Sequence, residues 1–309
     1  MDKSFRPTRT HRIDNPPLPP FCKVGWVRGF RGVTLIELLI ALVISGLLIA
    51  ALYRTFISQQ KTYTVQEQVV DMQQNVRVAI NKMMREIRMT GFGNLAGVLA
   101  QAEGVNGFTQ MIVPQSKKIT IVGGFKQIRR KNDDPIQVTS ISGNQVTLNY
   151  ATDDFDPPDS ADPEKPEDNP HRFISIGGIE SNYVLSQAGT KLTLEKPLKL
   201  NHPAGTPIFK IQAITYDVGR SPSSGKMVLR RDENTGGGGV PLAENIESVQ
   251  FEYFDGDGKS TANPATIRMI RVTVTAKTNM ADPEFKGGDG YRKRTVSSNI
   301  QLRNVGLNP

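Results

Sequence analysis

The stretch RGVTLIELLIALVISGLLIAALY, from Arg31 to Tyr53, decides how the chain is organised. It has no charged residue from Leu38 to Tyr53, and from Val33 onward Glu37 is its one charge. As a helix, residues 33–53 are roughly 31 Å long, about the thickness of the hydrocarbon core of a bilayer. The stretch therefore predicts a transmembrane segment at about residues 33–53, with a carboxylate near its start.

The charge of Glu37 does not prevent insertion into a membrane. Ten residues between Leu38 and Tyr53 are Leu, Ile or Val, and at about −0.5 kcal/mol each they favour insertion by roughly 5 kcal/mol. A carboxylate at the membrane centre costs roughly 3 kcal/mol, and less near the end of a span, where Glu37 lies. Insertion remains favourable overall.

Charge is distributed unevenly along the chain. Residues 1–32 hold seven Lys or Arg and two Asp, so they supply +5 of the formal net charge of +8. Because positive residues stay on the cytoplasmic side, we expect a single-pass inner-membrane protein with a cytoplasmic N-terminus and a periplasmic C-terminal domain. The net charge of +3 left for the remainder of the chain does not by itself indicate nucleic-acid binding.

Three other interpretations of the apolar run were weighed. A secretory signal peptide has a shorter apolar core and an A-x-A-like site, which AALYRTFISQQ (50–60) matches only weakly. A plain membrane anchor explains the run but not Glu37. A buried helix of a soluble protein is disfavoured, because the run is apolar on all faces.

The segment RGVTLIELLIALVISGLL (31–48) resembles the N-terminal signature of type IV prepilins and type II secretion pseudopilins. In that family a prepilin peptidase cuts after a glycine and methylates the new amino terminus, and the fifth mature residue is glutamate. Cutting after Gly32 makes Glu37 fifth, whereas cutting after Gly29 makes it eighth. The resemblance implies cleavage between Gly32 and Val33, removal of residues 1–32 as a basic leader, and N-methylation of Val33.

A role for Glu37 follows from this register. The new amino terminus at Val33 is a cation near or inside an apolar medium, where an unpaired charge is costly. The Glu37 carboxylate lies about one helical turn away and can pair with that amine, in its own or a neighbouring subunit. We expect Glu37 to set the axial register of subunits entering a filament.

Beyond Arg54 the chain turns amphipathic. Seven apolar residues recur at spacings of three or four, which is one face of a helix: Val65, Val69, Met72, Val76, Ile80, Met83 and Ile87. The glycines of TGFG (90–93) end the pattern. The sequence predicts one helix over residues 33–90, apolar all round in its first half and striped in its second.

The apolar pattern changes to a period of two from about Lys117, which is typical of strands. Strand-like segments recur as far as residue 304, and SGN (142–144) predicts a hairpin between two of them. An acidic, Pro-rich loop at residues 153–170 interrupts them. The predicted fold class is α+β and pilin-like, with the long N-terminal α-helix packed on a C-terminal antiparallel β-sheet domain at residues 91–309.

Three further segments resemble the PilW family of minor pilins, and more loosely the J-type minor pseudopilins: residues 72–92, 242–254 and 291–304. The resemblance implies a non-enzymatic minor pilin that is incorporated into, or initiates assembly of, type IV pilus filaments at the cell surface. Its implied partners are the prepilin peptidase, other major and minor pilins, the pilus assembly platform and membrane lipid. A minor pseudopilin of a type II secretion system and a membrane-anchored surface or DNA-binding module are the alternatives.

One turn carries a candidate metal site. In DGDGKS (255–260), Asp255 and Asp257 are spaced like the first ligands of a calcium loop. The later aspartate and the terminal glutamate of a full loop are missing, and acidic glycine-rich turns are also ordinary hairpin connections. We expect a plain turn, with calcium as the alternative; no other cofactor is expected.

No catalytic constellation is evident in the sequence. The three histidines, His11, His171 and His202, lie far apart and lack metal-site spacing, and no G-x-S-x-G motif occurs. Basic residues cluster at 126–131 and 292–294, and solvated strand edges explain them better than phosphate contacts. The chain is therefore expected not to be an enzyme and not to bind nucleic acid.

Overall fold

The computed structural model describes residues 32–102, 104–152, 172–282, 284–285 and 287–305. The chain divides into two compact units, one ending at Gln59 and the other beginning at Gln60. The predicted leader up to residue 31 and the predicted acidic loop at 153–170 lie outside the described residues.

The described residues form two helices followed by antiparallel strands. In chain order these are α1 (Leu35–Arg88), α2 (Ala96–Leu99), β1 (Ile112–Pro114), β2 (Lys118–Gln127), β3 (Val138–Ser142), β4 (Gln145–Leu148), β5 (Phe173–Ile176), β6 (Glu180–Ala188), β7 (Lys191–Leu194), β8 (Ile208–Arg220), β9 (Met227–Asp232), β10 (Val240–Glu244), β11 (Ile246–Phe254), β12 (Met269–Lys277) and β13 (Lys293–Gln301). The predicted long N-terminal helix and the antiparallel class are confirmed.

Helix α1 is 54 residues long and ends close to the predicted boundary. After Arg88 the chain turns, and Gly91 adopts a φ of +79°, a left-handed conformation that glycine takes without strain. A side chain at Gly91 would also place its Cβ 2.9 Å from the carbonyl oxygen of Asn304. The glycine therefore both ends the helix and allows the close approach of the C-terminal strand region.

The strands form two sheets. The larger runs in the order β1-β2-β8-β5-β6-β7-β4-β3, with β9 also pairing with β8 and β10 with β9, and the smaller is β11-β12-β13. The hairpin predicted at SGN joins β3 to β4, where Ser142 pairs with Gln145. Among the described elements, the apolar patterns of the sequence did not include β1, β10 and α2, which are three to five residues long.

The predicted stripe of the second half of α1 lies in the main core of the second unit. Met72, Val76, Ile80, Met83 and Ile87 are buried, as is Ala79, which the sequence pattern did not include. They form one cluster with side chains from both sheets, among them Ile119, Ile121, Ile214, Tyr216, Phe251, Val272, Val274 and Ile300. This half of the helix therefore packs against both sheets at once.

A buried carboxylate, Glu86, lies at the end of this stripe and is 4% exposed. Its oxygens accept hydrogen bonds from Nε of Arg231 at 3.0 and 3.2 Å and from the hydroxyl of Tyr216, and Nζ of Lys82 lies 2.7 Å away. Burial and the Glu86 carboxylate raise the pKa of Tyr216. Burial lowers the pKa of Arg231, but hydrogen bonds with Glu86 and Glu233 raise it overall. Tyr216 therefore stays a hydrogen-bond donor and Arg231 a cation near neutral pH.

The substitution Arg231→Met tests whether the contact between Glu86 and Arg231 holds helix α1 to the larger sheet. It leaves the Glu86 carboxylate buried without its main cationic partner, so we expect a loss of about 3 kcal/mol in the free energy of unfolding. Lys82→Met is the matched control, because the Lys82 side chain is 42% exposed; its expected effect is under about 1 kcal/mol. Denaturant unfolding of the full chain in detergent measures the loss in both variants. Equal small losses would show that the Arg231–Glu86 contact does not hold the helix to the sheet.

Candidate functional site

The start of α1 contains the predicted cleavage and register residues. Gly32, Val33 and Thr34 are exposed and precede the first helical residue, Leu35. Among the described residues other than its chain neighbours, no atom lies within 4 Å of the position that a Cβ on Gly32 would occupy. Cleavage between Gly32 and Val33 stays a prediction.

Thr34 and Glu37 form a capping box at this helix start. The amide and hydroxyl of Thr34 each lie 3.3 Å from Oε2 of Glu37, and the Glu37 amide donates to the Thr34 hydroxyl, also at 3.3 Å. Such reciprocal bonds satisfy amides that have no partner inside the helix. Sequence reasoning assigned Glu37 but missed Thr34, although the T-x-x-E spacing directly before an apolar run is the signal of a capping box.

The described part of the first unit is an apolar helix with exposed side chains. Among the described residues, the large apolar side chains from Val33 to Phe56 are between 51% and 84% exposed. By length and composition α1 is capable of crossing a membrane. Burial of those side chains in lipid would stabilise this half of the helix, since lipid removes them from water as a protein core would.

Comparison with known proteins gives a match at this same segment. Residues 27–53 match the prokaryotic N-terminal methylation motif. That range includes Gly32, Val33 and Glu37, so the motif predicted from the sequence is confirmed as a whole, while the roles of its individual residues stay predictions.

One solved structure is similar to the chain, the type IV-like pilin TTHA1219 from Thermus thermophilus. The two share 9% sequence identity over 75% of this chain and 97% of the other, with a TM-score of 0.32. No curated protein matches the chain.

The capping box is tested by a pair of substitutions at Thr34. Thr34→Val keeps the shape of the side chain but removes its hydroxyl, so we expect the first helical turn to lose about 1 kcal/mol. Thr34→Ser keeps the hydroxyl and should behave like the original protein. Hydrogen exchange of the Glu37 amide, followed by NMR in detergent, reports the difference as roughly fivefold faster exchange in Thr34→Val alone. Identical exchange in the two variants would show that the box does not hold the helix start.

At the candidate calcium site, the Asp255 carboxylate is used by its own turn. Its Oδ1 accepts hydrogen bonds from the amides of Asp257 at 3.0 Å and Lys259 at 2.9 Å. In the part of the chain that the structure describes, no group of three or more His, Cys, Asp or Glu side chains is placed to hold a metal ion. The turn has a sufficient structural explanation, and calcium stays a prediction.

Substitutions at Asp255 separate the two interpretations. Asp255→Asn retains an oxygen that accepts both amides, so for a plain turn we expect unchanged stability, whereas Asp255→Ala should cost about 1 kcal/mol. Thermal unfolding with and without millimolar calcium measures both. An increase in melting temperature with calcium in the original protein, absent in Asp255→Asn, would establish the metal site instead.

The remaining candidate residues serve local structure. His202 is buried, and its Nε2 lies 3.0 Å from Oε2 of Glu180. Burial raises the pKa of the Glu180 carboxyl, but hydrogen bonds from the amides of Lys199 and Leu200 and from His202 together lower it. His11 and His171 lie outside the described residues.

Much of the charge in the two basic clusters is paired within the chain. Arg129 lies 3.3 Å from Asp133, and the guanidinium of Arg130 lies 4.6 Å from the centre of the Tyr150 ring. In the second cluster Arg292 lies 2.8 Å from Asp282, and Lys293 lies 2.6 Å from Glu247. Part of the charge of each cluster is therefore used within the chain, and the interpretation as solvated strand edges stays a prediction.

Proposed function

We propose that the chain is a type IV pilin subunit of the minor, PilW-like kind. It is made as an inner-membrane precursor, cut between Gly32 and Val33 by the prepilin peptidase, methylated on Val33, and incorporated into a filament with other pilins. The observation that carries the proposal is the methylation motif at residues 27–53, in which Glu37 is the fifth residue after Gly32. The long helix followed by antiparallel sheets supports it.

The helix start is compatible with two roles for Glu37. Both bonds from Thr34 end on Oε2, so among the described contacts Oε1 is left to accept from a further donor. After cleavage, the Val33 amine is a cation, and an amine of this or a neighbouring subunit can pair with Oε1 while Thr34 holds Oε2. Such a pair is strong in an apolar medium because little solvent screens it.

A minor pseudopilin of a type II secretion system is the second candidate. It is favoured by the same motif, because prepilins and pseudopilins share that N-terminal chemistry. Neighbouring genes distinguish the two: other pilin genes support the pilus, and genes for a secretion outer-membrane channel support the pseudopilus.

The intact mass of the protein purified from membranes tests the processing step. We expect a mass equal to that of residues 33–309, with or without one methyl group. A protein that retains residues 1–32 would overturn the proposal, since an uncut leader leaves no free amine for Glu37.

The assembly role of Glu37 is tested by Glu37→Ala. The variant should insert and be cut as before, because the apolar run and the Gly32 site are unchanged, but it should be lost from sheared filaments by at least about tenfold. Glu67→Ala is the control, since Glu67 is an exposed acid on the same helix. Normal recovery of Glu37→Ala in filaments would show that the carboxylate does not direct assembly.

A further inference from the structure

The larger sheet contains an insertion between two strands that are neighbours in space. Strand β2 ends at Gln127 and β8 begins at Ile208, yet the two strands pair along most of their length, with Gln127 opposite Phe209. At the end of this ladder the amide of Ile128 donates to the carbonyl of Ile208 at 2.9 Å. The chain between Gln127 and Ile208 therefore leaves the β2–β8 pairing and returns to it at the same end.

The inserted strands close into a ring. They pair in the order β5-β6-β7-β4-β3, and residues 205–208 join the two ends. On one side the amide of Val138 donates to Thr206 at 2.9 Å, and the amide of Gly205 to Val138 at 2.8 Å. On the other side the amide of Gly177 donates to Pro207 at 2.8 Å. Closure satisfies edge groups that an open sheet would leave unpaired, so the insertion is a small β-barrel.

The barrel has a hydrophobic core of its own. Its buried cluster lies entirely within residues 128–208 and includes Ile136, Val146, Ile174, Val184, Leu192 and Leu194. The stripe of α1 belongs to a different cluster. A closed barrel of this length with a separate core is within the size range of domains that fold alone.

Contacts between the barrel and the rest of the second unit include polar bonds, an apolar patch and backbone pairing, in which Ser175 of β5 lies opposite Phe209 of β8. Ser175 donates to the carbonyl of Gly93 at 3.0 Å, Ser181 to Asn94 at 2.6 Å, and the Asn94 side chain to Ile179 at 2.9 Å. Phe173 and Tyr183 supply the apolar part, against a cluster that includes Leu95 and Val98. These contacts join the barrel to the rest of the unit, while its buried cluster remains separate from the cluster that contains the α1 stripe.

We propose that residues 128–152 and 172–208 form a second folding unit inserted into the pilin body, and that filament assembly depends on the helix and body but not on the barrel. The barrel is then a module whose loss does not disturb assembly. The folding part of this proposal stands independently, and the assembly part rests on the proposed function.

Two matched leucine substitutions test the folding part in the full processed chain. Leu192 lies in the barrel core and Leu229 in the core with the helix, and both are fully buried. Leu192→Ala should speed hydrogen exchange of barrel amides by about 30-fold or more and leave β11–β13 unchanged. Leu229→Ala should do the reverse. If either variant accelerates exchange equally throughout residues 60–305, the barrel is not a separate unit.

Recovery in sheared filaments tests the assembly part. Leu192→Ala, and the more disruptive Leu192→Asp, should be cut and recovered at the original level, whereas Leu229→Asp should be lost. If the Leu192 variants are cut but lost from filaments, assembly requires the barrel and the proposal is wrong. If the unsubstituted protein itself is never found in filaments, the proposed pilin function fails instead, while the exchange experiment still decides whether the barrel folds separately.

Discussion

The apolar stripe on the second half of α1 packs against two sheets that have no strand in common, and it brings their inner faces into one core. The smaller sheet offers one buried side chain in two along β12, from Ile270 to Ala276. The larger sheet offers Ile119 and Ile121 of β2. Buried side chains recur every three or four residues along a helix and every two residues along a strand. The two kinds of element share a core only where the buried face of each is turned toward the other. The fold of the second unit depends on that agreement.

Glu86 and Glu37 lie on the same helix, and the two carboxylates are stabilised by different kinds of hydrogen-bond partner. Glu86 is 4% exposed and is satisfied by distant residues, Arg231 and Tyr216 of the larger sheet. Glu37 is satisfied within one turn by Thr34. A carboxylate held by the folded sheet cannot change partners without unfolding, whereas one held by its own helix cap can accept a partner from another chain. The difference is consistent with a fixed structural contact at Glu86 and with the assembly contact proposed for Glu37.

The features that depend on local periodicity and on turn residues can be predicted from the sequence. The length of α1, its buried stripe at Met72 and Val76, and the hairpin at residues 142–144 follow from spacing and turn residues alone. Burial of Glu86 could not be predicted, because an acid beside a helical stripe normally faces water and its partner Arg231 is 145 residues away. The closure of the barrel is set by pairs such as Val138 with Thr206, and strand periodicity does not reveal which strands pair. At the candidate site, register selected Gly32 and Glu37, but the contribution of Thr34 became clear only from its contacts.

The insertion departs from one end of the β2–β8 pairing. The stripe of α1 clusters with Ile119 and Ile121 near the start of β2, where Lys118 pairs with Asp217. The insertion departs after Gln127, at the opposite end of the same ladder. Gln127 follows Ile121 by six positions, which corresponds to roughly 20 Å along a strand. Ile119 and Ile121 therefore lie away from the point where the insertion departs, while Phe125, close to that point, also packs against the helix cluster.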